Sequence, residues 1–301
     1  MSYAGYSEAV KDDHPTCLWQ LGAELGEGPV WHQGTSSVYF VDIKGRKIHR
    51  YSTVTGEKHS WPVDGQPGFI VPSADGHFLC GMQDALYRFD PADGACQRLM
   101  EVETGLAGNR INDGFVDPTG LLWFGTMDDS EAFSTGSLYR VNAEGQPWRR
   151  DCGYVITNGP AMSPDGRTLY HADTVRRVIY AFDVGDGGTL SRRRAFARLS
   201  DKGYPDGMAV DADGHLWIAV FGGARIERRS PSGLLVDVIR FPCDNITKLA
   251  FGGDDLRTVY VTTARKGLSS REIEQQPLAG GLFSFRSPVS GLPPTACKTW
   301  G

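Results

Sequence analysis

Three short stretches set oxygen-bearing side chains beside glycine or proline: Glu27 in LGEGPVWH, Asn158 in TNGPAM and Asp206 in YPDGMA. Carboxylate and amide oxygens are ligands for hard cations, and carboxylates gathered away from water repel one another unless a counter-charge joins them. Cation binding is therefore the chemistry these types could support, provided the fold brings distant positions together. The Gly-Glu-Gly around Glu27 is no dinucleotide loop, because Trp31 stands where that loop needs its third glycine and a helix start. Pro29–Trp31 and VYFVDI from Val38 read instead as strands around a turn.

The elements that would position these residues are visible as an internal repeat. An Asp- or Thr-Gly turn followed by an apolar strand recurs as SADGHFLCG from Ser73, DPTGLLWFG from Asp117, SPDGRTLYHAD from Ser163 and DADGHLWIAV from Asp211. Each is followed by a further strand: ALYRFD, SLYRVN, VIYAFD and ARIERR. Two more units keep the strands without the turn, from Val30 and from Leu249, the latter completed by GLFSF at Gly281. Aligned on the turn, the residues five positions upstream are Glu27, Gly68, Asn112, Asn158, Asp206 and Thr247, spaced by 41, 44, 46, 48 and 41. A period in the forties with about four strands per unit predicts an all-β, six-bladed β-propeller over nearly the whole chain. The prediction is a single domain, 1–301, in which residues 1–16 form an extension that closes the ring or hangs free.

Equivalent positions in a propeller lie at equivalent height around one channel, so the six become neighbours. Five carry side-chain oxygen and two are acidic, which predicts a divalent metal site in the central channel. Ca²⁺, Mg²⁺ or Mn²⁺ suit such ligands, and with carboxylates present Zn²⁺ and Fe²⁺ stay open. Taken singly, Asp or Asn before Gly is an ordinary turn former; recurrence in phase favours the metal.

Composition narrows the classes. The chain has 38 Gly, 17 Pro and 11% aromatic residues, as many short strands and tight turns require. A net charge of −5 leaves no footprint for nucleic acid, and the densest basic cluster, Arg192 to Arg194, reads as a solvated turn. No signal-peptide pattern or membrane-length apolar run is present, which makes a cytoplasmic protein the default expectation, with no membrane and no required protein partner. Six cysteines lie without metal spacing and read as reduced thiols. G-x-S-x-G and P-loop patterns are lacking, and His32 and His171 read as structural.

GEGPVW, NRINDGFVD, TNGPAMSPDG, YPDGMAVDADG and FGGDDLRTVYVTTARKG together closely resemble the gluconolactonase, regucalcin (senescence marker protein) and luciferin-regenerating enzyme family, from about Leu25 to Phe285. The resemblance implies a six-bladed propeller and one divalent cation held by Glu27, Asn158 and Asp206, the same three that the repeat singles out. It also implies substrate contacts from Arg110 and Asn112 in NRINDG, with an acidic residue near the sugar. Asp128 or Asp129 in MDDSEAFSTGS fits that last part, although neighbouring acids in a polar loop are often only solvated.

The expected activity is hydrolysis of sugar lactones, aldonolactones such as xylono-, arabinono-, galactono- or gluconolactone, of the bacterial sugar-lactonase type. The cation would polarise the carbonyl and Asp206 would accept the proton of the attacking water; because a cation weakens a carboxylate as a base, a water acidified by the cation competes for that part. Three other readings compete: a regucalcin-like calcium-binding protein without turnover, a hydrolase of organophosphates or lipophilic lactones on the same site, and a propeller serving only protein binding. Phe69, Trp61, Tyr154, Tyr204 and Phe221 are the candidate channel-wall aromatics.

Overall fold

The computed structural model describes residues 14–299. Its first strand, β1 (Thr16–Trp19), finds its partner only at the far end of the chain. Blade 1 contains β2 (Gly26–His32), β3 (Ser37–Asp42), β4 (Lys47–Ser52) and β5 (Lys58–Pro62). Blade 2 contains β6 (Pro67–Pro72), β7 (Phe78–Met82), β8 (Ala85–Phe89) and β9 (Cys96–Glu101). Blade 3 contains β10 (Asn109–Val116), β11 (Leu122–Asp128), β12 (Gly136–Val141) and β13 (Pro147–Tyr154). Blade 4 contains β14 (Thr157–Met162), β15 (Thr168–Asp173), β16 (Val178–Val184) and β17 (Leu190–Arg198). Blade 5 contains β18 (Tyr204–Val210), β19 (Leu216–Phe221), β20 (Arg225–Arg229) and β21 (Leu235–Arg240). Blade 6 contains β22 (Ile246–Gly252), β23 (Thr258–Thr263) and β24 (Leu282–Arg286), and β1 completes it by pairing Thr16 with Ser284 and Cys17 with Phe283. Six four-stranded sheets thus form the six-bladed propeller. Residues 1–13 of the expected extension lie outside the described residues, and Thr16 already belongs to the ring.

Apolar side chains alternate along the inner three strands and fill the gaps between blades. Tyr39, Ile70, Phe78 and Phe89 pack blade 1 on blade 2, and Phe69, Leu79, Ile111 and Phe124 pack blade 2 on blade 3. The recurring turn acid has its own structural work. Asp117 accepts from Thr119 N (2.8 Å), Trp123 Nε1 (2.9 Å) and Arg140, whose guanidinium lies over the Trp123 ring. Asp211 repeats this with Asp213 N (3.0 Å), Trp217 Nε1 (2.9 Å) and Arg228, which lies over Trp217. One buried carboxylate thereby fixes a turn, a core indole and the neighbouring strand. The Arg192–Arg194 cluster corrects the expectation of a turn: it lies inside β17, with Arg192 and Arg194 paired to Asp183 and Arg193 3.9 Å over the Tyr180 ring. Alternate cross-strand pairing on an outermost strand accommodates three arginines because that edge faces water.

The innermost strands β2, β6, β10, β14, β18 and β22 surround the channel. At Glu27, Gly68, Asn112, Asn158, Asp206 and Thr247 every one of them slips register against its neighbour. A bulge adds a residue and re-aims side chains, so six bulges at one height turn one position per blade toward the axis. Gly28 and Gly159, which follow Glu27 and Asn158, adopt φ of 54° and 78°, a conformation that glycine takes without steric cost. The opposite mouth of the channel is a separate, apolar cavity of about 180 Å³, walled by Val30, Val71, Val116 and Phe251 and crossed by Leu292–Thr295. That C-terminal segment is tied on by Ala212 N to Ser290 O (2.9 Å), Cys297 N to Pro72 O (2.7 Å) and Lys298 N to Gly120 O (2.9 Å).

Candidate metal centre

A cavity of about 300 Å³ opens at the mouth formed by the starts of the innermost strands. Glu27, Arg110, Asn112, Asn158 and Asp206 all line it, with Leu25, Ile43, Met127 and Ile156 as apolar wall. Of the candidate aromatics only Tyr204 and Phe221 reach it. Trp61 stacks on Tyr39 between blades, Phe69 lies in the core beside Phe124, and Tyr154 packs edge-on against His171. Their strands face those side chains into the inter-blade gaps rather than the channel.

The two acids of the ring have one donor between them among the described residues. Glu27 Oε2 accepts from Gly28 N (2.8 Å), whereas Glu27 Oε1 and both oxygens of Asp206 have no hydrogen-bond partner among the described residues. Burial pushes the Glu27 carboxyl up to about 8, Asp113 adding to the rise and Lys248 opposing it. Burial likewise raises Asp206 well above the usual carboxylate range, with Glu27 and then Asp113 as further causes. Deeper in the channel Asp113 is also raised by burial, opposed by the Lys248 ammonium that contacts it. Lys248 is thus matched to Asp113, and neither Glu27 nor Asp206 has an ion-pair partner among the described residues.

The amides are aligned by a directional chain. Arg110, which can only donate, gives Nη1 to Asn112 Oδ1 (2.6 Å); Asn112 Nδ2 donates to Asn158 Oδ1 (2.9 Å) and Thr157 O (2.7 Å). Asn158 Nδ2 donates to Thr174 Oγ1 (2.9 Å), whose hydroxyl donates to Pro205 O (2.8 Å), an atom that can only accept. With a fixed donor at one end and a fixed acceptor at the other, both amides have a single orientation. Asn158 Oδ1 keeps one acceptor position beyond the Asn112 bond. A carboxylate pair with a single backbone donor and an amide oxygen held in place fit a hard cation. Among the described residues no three His, Cys, Asp or Glu side chains converge on one point, because the third donor here is an amide.

Gly68 and Thr247 complete the ring without offering a ligand: Gly68 has no side chain and lies so close to Asn112 that a Cβ would stand 2.6 Å from its carbonyl oxygen, and Thr247 donates to Gly26 O (2.6 Å). Arg110 is nearly fully buried; its Nε gives a 2.6 Å hydrogen bond to Asp129 Oδ1, while Nη2 has no partner among the described residues. Asp129, also bonded by Lys44 Nζ (2.7 Å) and Gln66 Nε2 (3.1 Å), stands behind Arg110 and is held well below the usual carboxylate range by these donors against the cost of burial. Asp128 turns away from the cavity: its Oδ2 gathers Ser130 Oγ (2.5 Å), Ala132 N (3.0 Å) and Phe133 N (3.1 Å). The acid of that loop that does line the cavity is Glu131, in contact with Lys266. Neither was singled out by the repeat, since both sit in the loop between the second and third strands, whose length differs from blade to blade; Lys266 belongs to the ARKG of the quoted late motif.

The match to a known family model, SMP-30/gluconolactonase/LRE-like region, runs over residues 25–265. The chain belongs to this family. Among relatives of this SMP-30/gluconolactonase member, 6-deoxy-6-sulfogluconolactonase of Pseudomonas putida is 36% identical over 278 residues, covering 91% of this chain and 95% of that protein. L-arabinolactonase of Azospirillum brasilense is 35% identical over 282 residues, covering 92% and 93%. Regucalcin from Agrobacterium tumefaciens, described as a calcium-binding protein, superposes with a TM-score of 0.90 at 28% identity, covering 94% of this chain and 97% of that one.

Proposed function

We propose that this protein is a divalent-metal-dependent lactonase that opens aldonolactones to aldonic acids. The observation that carries the proposal is the pair Glu27 and Asp206, with one backbone donor between them and no ion-pair partner among the described residues, in one small cavity with Arg110. Relatives named for a sulfogluconolactone and for arabinonolactone support the reaction class.

A cation held by Glu27, Asn158 and Asp206 would supply Lewis acidity to the lactone carbonyl. The protein's own residues do the rest. Arg110, fixed through Asp129 and Asn112, offers Nη2 to sugar or lactone oxygens, and Asn112 holds both Arg110 and Asn158 in register. Leu25, Ile43, Met127 and Ile156 cover the carbon face of the ring and displace water from it. Asp206, buried and without donors, accepts a proton from the attacking water; the new C–O bond forms at the carbonyl carbon, the ring C–O bond breaks, and the Asp206 carboxyl returns the proton to the departing ring oxygen, which becomes the hydroxyl of the aldonic acid.

The test is proton release from xylono-, arabinono-, galactono- and gluconolactone by metal-stripped and metal-restored protein, beside Asp206→Ala and Glu27→Ala. Catalysis that requires the cation and falls to the spontaneous rate in both variants is expected. If every form stays at the spontaneous rate while calcium still binds, lactonase activity is overturned and a calcium-binding protein of regucalcin type takes its place.

A further inference from the structure

The charges that line the cavity are unevenly matched. Its two cations are Arg110 and Lys266, and its three acids are Glu27, Asp206 and Glu131. Arg110 is engaged by Asp129, and the Lys266 ammonium rests directly on the Glu131 carboxylate. Glu27 and Asp206 have no ion-pair partner among the described residues, so the cavity holds unmatched negative charge for a cation, whereas each of its own cations already faces a carboxylate. The Lys266–Glu131 pair is partly exposed at the rim, where it joins the loop after β11 to the loop after β23 across the mouth.

Glu131 is held at this place by construction. It adopts φ of 59°, uncommon for a residue with a side chain, and its N–H donates to Asp128 O at 3.0 Å. The Asp128 carboxylate meanwhile collects the hydroxyl of Ser130 and the amides of Ala132 and Phe133, locking the turn around Glu131. A buried acid that caps a strained turn to present a second acid to a lysine is a device for neutralising that lysine.

Resting on the lactonase reading, we infer that Glu131 sets substrate choice by charge: by occupying Lys266 it makes the cavity accept uncharged polyhydroxylated lactones and disfavour lactones with a sulfonate, phosphate or carboxylate tail. Removing Glu131 leaves Lys266 unpaired at the rim and creates an anion subsite; Asp128 is the positioning residue behind Glu131.

The experiment compares kcat/KM of the metal-loaded protein for gluconolactone and 6-deoxy-6-sulfogluconolactone in wild type, Glu131→Gln, and Glu131→Gln with Lys266→Met. Wild type is expected to favour the uncharged lactone. Glu131→Gln should move the ratio by about tenfold toward the sulfonated one, through KM and less so at high salt, and the double variant should lose the gain. A ratio unchanged in Glu131→Gln, a gain that persists without Lys266, or a wild-type preference for the sulfonated lactone overturns the assignment while turnover of gluconolactone keeps the lactonase reading intact. No turnover of either lactone by any form overturns both.

Discussion

His171 is fully buried, with the Tyr154 ring edge-on at 4.8 Å, and neither ring nitrogen has a hydrogen-bond partner among the described residues. Burial lowers it from its ordinary value of 6.5 to about 3, with Arg193 adding to the fall. Above pH 6.5 the ring is neutral in folded and unfolded chains alike, so it contributes no pH dependence there. Between 6.5 and about 3 the unfolded chain takes up a proton that the folded one refuses, and stability falls by up to ~1.4 kcal/mol per pH unit from this residue. Chemical denaturation from pH 7.5 to 4.5 should show His171→Leu with a shallower acid decline than wild type; equal slopes would reject the assignment. The sequence reads this histidine as a satisfied structural one because no triad context surrounds it, and the structure buries it but leaves both ring nitrogens without a partner among the described residues; the sequence also singled out Glu27, Asn158 and Asp206 because each recurs in phase with the repeat. Glu131 and Lys266 stayed illegible for the converse reason: the loops that carry them differ in length from the corresponding loops of other blades, and their pairing joins positions 135 residues apart.

Among the elements, the six inner-strand bulges and the amide chain act together. The bulges aim one residue per blade at the axis, and the chain from Arg110 to Pro205 O crosses blades 3, 4 and 5 to fix the Asn158 oxygen. Partners of metal ligands orient them, and their loss typically costs 10–100-fold in affinity. Asn112→Ala should therefore weaken divalent-cation binding by roughly tenfold or more, read by calorimetric titration of the metal-free protein, while Asn158 itself remains present. Affinity equal to wild type would mean that Asn158 holds its orientation without the chain. The turn signals revealed the inner strands because Asp117 and Asp211 need that spacing to reach their tryptophans. The outermost strands were less visible: sequences such as LSRRRAFAR are exposed along most of their length and show no apolar alternation.

At the scale of the molecule, the ring is sealed by β1 on β24, and Trp19 packs against Phe40 of blade 1 with ring centroids 5.7 Å apart. Removing residues 1–19 would leave β24 as a bare edge and uncover Phe40 and His49. A loss on the order of 3 kcal/mol is expected from the exposed apolar surface, with self-association through the open edge, measured by thermal unfolding and size-exclusion chromatography. An unchanged melting temperature and a monomeric profile would show that the blades hold together without this closure. The repeat indicated that the first residues could close the ring; hydrogen bonding across so long a span of sequence is decided only by the assembled blades.

Closure by the first strand also sets an order of events during synthesis. Thr16 is made 268 residues before its partner Ser284. At about 5–20 residues per second the strand waits roughly 15–50 s for its place. Until then blade 6 is missing between Glu27 in blade 1 and Asp206 in blade 5, and nothing fixes the distance between the two carboxylates. A nascent chain cut short before Ser284 would therefore carry Glu27, Asn158 and Asp206 without the closed ring that brings them to one cavity.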